Sequence, residues 1–269
     1  MSERPTPTPA PGAIRFRGGG FEPSGRRWAS WLAFALIVAL WQASSSLGLL
    51  SPVAMPSPAA VVKALYDLAA SGKIWNHVGQ SLGRIGLGWL IGTTAGLAVG
   101  LAMGVFSVAR AIGIPVTAAL FPIPKIALLP LFILWFGIGE SSKVATIALG
   151  VFFPTVISAY SAVDNVSRAL IRMGQSFGVP AASIVAKIIL PGAMPGILAG
   201  FRISSSIALI LVVAAEMIGA EYGIGAFILA AGNLMQTDQL VAGVVLLSIL
   251  GLAISVVLGR IERRVLRWR

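Results

Sequence analysis

The chain has no cysteine, which excludes disulfides, thiolate metal sites and cysteine nucleophiles together. Its one histidine, His77, has no clustered companions and reads as a plain loop residue rather than a metal ligand. Charge is scarce: 11% of the 269 residues are charged, nine acidic against twenty basic, while 57% are hydrophobic. A soluble protein needs more charge than this to cover its surface, so a mean hydropathy of +0.91 describes an integral membrane protein. No lysine is followed by Ser or Thr, because Lys63, Lys73, Lys125, Lys143 and Lys187 precede Ala, Ile, Ile, Val and Ile. A phosphate-cradling Gly-Lys-Ser/Thr loop is therefore missing, so the chain is expected not to hydrolyse ATP itself and to hold no nucleotide cofactor of its own.

What is present is long uncharged runs. There are 25 residues between Arg84 and Arg110, 20 between Lys143 and Asp164, and 21 between Asp238 and Arg260. A bilayer core about 30 Å thick takes roughly 20 helical residues, so each run spans once, and 28–50 adds a fourth. Two further regions, 111–139 with Lys125 and 188–220 with Arg202 and Glu216, carry single charges and complete an all-α, polytopic design of six spans over 28–269. Residues 1–27, with five prolines and a triple glycine, are expected to be a disordered tail. The 28–50 run is too long for a signal-peptide core and is expected to be retained. Arginines crowd both ends, and loop 164–191 carries Arg168, Arg172 and Lys187 against Asp164, which places both termini and that loop in the cytoplasm. The net charge of +11 then serves topology and lipid headgroups rather than nucleic acid.

Within this frame, Ser57-Pro58 opens a short external helix to about Ala70, with Val61, Leu65 and Leu68 on one side, lying on the outer membrane surface. Gly92, Gly96, Gly100 and Gly104 put bare backbone along one helix face, for tight packing in preference to a substrate groove. Pro115, Pro122, Pro124 and Pro130 predict a kinked internal helix whose freed carbonyls need partners. Lys125, among them, either faces a cavity or snorkels. Glycines at 219, 223 and 225 predict a re-entrant turn and a short interfacial helix after Glu216. Glu216 is either a gate or a partner for a cation such as Arg202.

In loop 164–191, Val166, Leu170, Met173 and Phe177 predict one apolar stripe beside Arg168, Arg172 and Gln175. Gly178 suits a left-handed helix end and Pro180 a new first turn, so two short helices meet at a corner before a Leu190-Pro191 stop. Such a knob fits the groove of a soluble partner or, equally, lies flat on anionic headgroups.

This segment resembles the signature loop of binding-protein-dependent ABC importer permeases. There a Glu-Ala-Ala triplet is followed by Gly after three residues and by Ile-x-Leu-Pro after nine more. Gly178, Ile188, Leu190 and Pro191 keep that spacing, whereas the triplet reads Arg172-Met173-Gly174. The stretches "LPLFILWFGIGESSK" and "AAEMIGAEYGIGAFI" are similar to those of aliphatic sulfonate, taurine and nitrate permeases. The resemblance implies a type I ABC importer fold in a prokaryotic cytoplasmic (inner) membrane. It further implies a homodimer, a cytosolic ATPase dimer that holds ATP and Mg, and an external solute-binding protein. Arg172, Met173, Ser176, Phe177, Gly178, Val179 and Pro180 would be the ATPase contact, that is, the coupling helix. Lys125, Trp135, Arg202 and Glu216 are the candidates for the translocation path and gate, and the two cations favour a small anion as cargo unless they snorkel or pair with Glu216. The alternatives are an autonomous channel or ion-coupled carrier, which needs no ATPase, and a membrane assembly factor.

Overall fold

A computed structural model describes residues 27–268 of the chain. The tail before Arg27 lies outside them. Among the described residues all regular structure is helical. Four helices are long and apolar enough to cross a membrane: α3 (Lys73–Val105), α6 (Glu140–Asp164), the continuous Ala181–Met217 and α11 (Thr237–Val265). The pair α4 (Ser107–Leu120) and Lys125–Phe136, bent by 85°, counts as a fifth. Before them come α1 (Arg27–Ser46), with an apolar stretch of shorter length, and α2 (Pro58–Ala70).

The core is α3 and α6, which run parallel at close range because α3 is bare where they touch. A Cβ on Gly96 would stand 2.6 Å from the Phe152 carbonyl oxygen, one on Gly100 2.6 Å from that of Val156, and one on Gly104 2.6 Å from Val163. Gly88 extends the ladder against Ile147. The glycines serve packing, as expected, and admit no groove along that face. The third core helix, α9 (Leu190–Met217), runs antiparallel to α6, with Gly196 against Ala162 and Gly200 against Ser158.

Four expectations change. Pro191 does not stop a helix. Residues Ala181–Ile184 (α8) pass through a π turn, Val185–Ile189, where the Leu190 N–H reaches back five residues to the Val185 carbonyl, and continue directly into α9. The widened turn accommodates a residue without an N–H. The proline-rich third region is two pieces rather than one kinked internal helix. It breaks at Phe121–Pro124, where Lys125 caps the freed carbonyls, α5 (Leu129–Phe136) follows, and α4 buries no residue. α2, capped by Ser57, turns Val61 and Leu68 onto Ile74 and Ala242, so protein rather than lipid receives that stripe. His77 lies within α3, not in a loop. The expected turn and short helix after Glu216 are present, with α10 (Ile224–Asn233) burying Ile224, Gly225 and Ala226.

Candidate functional site

At one end of the core, α6 connects to α8 through α7 (Arg168–Ser176) and a four-residue corner. The corner follows from Gly178, whose φ of +68° is a left-handed value that L side chains seldom adopt. The Val179 N–H then donates to the Gly174 carbonyl at 3.0 Å and the Gly178 N–H to Gln175 at 3.0 Å, closing a Schellman motif that satisfies the orphan carbonyls of α7. All seven residues named for partner contact, Arg172, Met173, Ser176, Phe177, Gly178, Val179 and Pro180, are exposed, and Phe177 reaches 80%.

The apolar stripe is placed differently from its prediction. α7 begins only at Arg168, so Val166 is out of helical register and buried. Leu170, Met173 and Phe177 form an outward ridge between exposed Arg168 and Arg172. The inward face is Ile171 with Gly174, where a Cβ would stand 3.3 Å from both Ile184 and Ile188. The glycine in the departed triplet thus lets α7 sit against the base of the last core helix. Arg110, at the start of α4, ties the loop down through Asp164 at 2.9 Å and the Tyr160 hydroxyl at 3.0 Å.

Lys125, Trp135, Arg202 and Glu216 are not brought together. The Lys125 ammonium donates to the carbonyls of Leu120, Phe121 and Ile123 at 2.8, 2.8 and 2.7 Å and lies 4.8 Å from the centre of the Phe153 ring. All three of its donors cap the proline break. Trp135 is 61% exposed on α5, edge-on to Phe132. Arg202 pairs with Glu262 of α11, which corrects the expected pairing with Glu216.

Glu216 instead belongs to a buried knot at the end of the core remote from the loop. Its partner is Arg84, 3% exposed, whose Nη1 donates to Glu216 Oε1 at 2.8 Å and to the Tyr222 carbonyl at 2.7 Å. The same guanidinium grips Glu140, the first residue of α6, by two bonds of 2.6 Å. Ser81 donates to Glu216 at 2.7 Å and accepts the Ile224 N–H, and the Gly225 N–H reaches Glu216 at 2.8 Å. His77 Nδ1 accepts the Gly223 N–H at 3.1 Å. A Cβ on Gly223 would fall 2.5 Å from both Glu216 carboxylate oxygens, so glycine is required there. Buried Lys143 donates to the Gly139 carbonyl alongside. Two cations and two carboxylates balance, which a low-dielectric site demands. Sequence reasoning used Arg84 only as the edge of an uncharged run and missed the knot. The one signal was Glu216, an acid within an apolar run with no cation beside it.

Comparison with known proteins adds the following. Residues 92–267 match the family model described as binding-protein-dependent transport system inner membrane component. The taurine transport system permease protein of Escherichia coli (strain K12) is 36% identical over 87% of each chain. A protein named as a candidate aliphatic sulfonates transport permease, from the same organism, is 38% identical over 90% of this chain and 92% of its own. A chain of the methionine ABC transporter MetNI, in an inward-facing conformation, superposes with a TM-score of 0.62 at 23% identity over 72% of this chain and 98% of that one.

Proposed function

The chain belongs to the binding-protein-dependent transport system inner membrane components, and from that premise we propose that it is the membrane-spanning permease of an ATP-driven importer of small sulfonates such as taurine. Two copies would form the path. Each would hold one separate ATPase, carrying ATP and Mg, through the cytoplasmic corner at 172–180, and an external binding protein would deliver the cargo. The observation that carries this reading is mechanical. The exposed corner leads without interruption into the 37-residue helix Ala181–Met217, so a pull on Phe177–Pro180 acts directly on a core span. A ridge of Leu170, Met173 and Phe177 with arginines on its flanks suits a groove. Support for the cargo comes from the relatives named for taurine and aliphatic sulfonates. The basic bias of loop 164–191 supports its cytoplasmic side.

The test is purification of the tagged permease with its candidate ATPase, followed by taurine uptake into reconstituted vesicles with the taurine-loaded external binding protein supplied outside. Uptake that requires both the ATPase and ATP is expected. Equal uptake with the permease alone would replace this reading by a channel or ion-coupled carrier.

A further inference from the structure

We infer that the Arg84–Glu140–Glu216 knot is the device through which events at the outer end of the bundle reach the corner at 172–180, and that Arg84 and Glu140 are positioning residues for coupled transport. This rests on the importer reading.

The argument starts from placement. Helix α6 has Glu140 at its first residue and Asp164 at its last, and α9 runs back from the corner to Glu216, so knot and corner sit at opposite ends of the same two helices. Twenty-five residues of α6 put them about 37 Å apart. Between them, the glycine ladder of α3 on α6 and the small-residue contacts of α9 on α6 bring backbones together, leaving no compliant layer to absorb a displacement. At the outer end the core helices are joined by two non-helical segments: the turn after Gly137, whose φ is +81°, and the turn 218–223, with Gly219 and Gly223 at 149° and 140°. Neither would follow the core unaided. Arg84 ties both at once, the first through Glu140 and the second through Glu216 and the Tyr222 carbonyl, with all the bonds radiating from one guanidinium on α3. Glu216 is fully buried, whereas the Glu140 side chain is 58% exposed, so the Glu140 half is the one that can be released without opening the core.

The test uses the complete transporter, permease with ATPase, in lipid nanodiscs. ATP hydrolysis is measured with and without taurine-loaded external binding protein. Wild type is expected to be stimulated. Glu140→Gln and Arg84→Lys are expected to keep unstimulated hydrolysis and assembly while the stimulation falls about tenfold, within the usual range for coupling between sites. Glu221→Gln, an exposed carboxylate at the same end but outside the knot, is expected to respond as wild type. If Glu140→Gln is stimulated as strongly as wild type, or if Glu221→Gln loses as much, the knot has no coupling role. If wild-type protein itself shows no stimulation, the importer reading fails and takes this inference with it.

Discussion

At the scale of the residue, two positions carry the account and they were unequally readable. Gly178 was legible because the requirement is local: a left-handed residue after an amphipathic turn and before a proline is a property of adjacent residues. No atom lies within 4 Å of a Cβ placed there, so Gly178→Ala strains the backbone by about 1–2 kcal/mol without a clash. Gly178→Asp adds a charge to the exposed corner. The alanine variant is expected to weaken ATPase retention during purification and the aspartate variant to abolish it, while both permeases still fold. Arg84 was not legible, because its partner Glu216 is 132 residues away and nothing near either residue names the other. Removing one member of a buried pair costs about 3–5 kcal/mol, so Arg84→Ala is expected to lower the melting temperature in detergent clearly, and Glu140→Gln, at the exposed edge, far less. Equal melting temperatures for Arg84→Ala and wild type would mean that the knot does not stabilise the end of the core remote from the corner.

At the scale of the element, runs without charge located α3, α6 and α11, since the cost of burying charge in lipid acts on every residue of a crossing helix. The 28–50 run yields only the shorter apolar stretch of α1, so four helices, or five with the bent pair, rather than six have the length and composition of a span among the described residues. Their breaks were legible only in part. Pro122 and Pro124 announced an interruption of the third region, but not an 85° bend or the three carbonyls collected by Lys125. Pro191 announced a stop that the π turn removes. Lys125→Met keeps the length and loses every donor. The break then loses three charge-assisted hydrogen bonds at once, so this variant is expected to melt earlier and to become protease-sensitive near residue 122. An unchanged digestion pattern would show that the break is held by something else. The glycine ladder makes a contrast within one helix: Gly96→Val would drive α3 off the Phe152 backbone and is expected to prevent stable expression. Gly83→Ala faces open space, and its expected outcome is a normal or slightly raised melting temperature.

At the scale of the whole molecule, three packed helices form a bar with an exposed corner at one end and a neutral charged knot at the other. The all-α membrane class and the knob could be read from the chain, because composition and spacing are enough for both. The division of the third region and the joining of the knob to the longest helix could not, since they depend on how freed backbone groups are satisfied in three dimensions. The central claim is that a separate ATPase grips the corner from the cytoplasm. It is tested most directly by Phe177→Cys, a unique thiol in a chain with no other cysteine, at a site 80% exposed. Labelling with a membrane-impermeant maleimide should occur only from the cytoplasmic side of inverted vesicles, and the bound ATPase should protect the thiol. Labelling from outside intact cells, or labelling indifferent to the ATPase, would contradict the account.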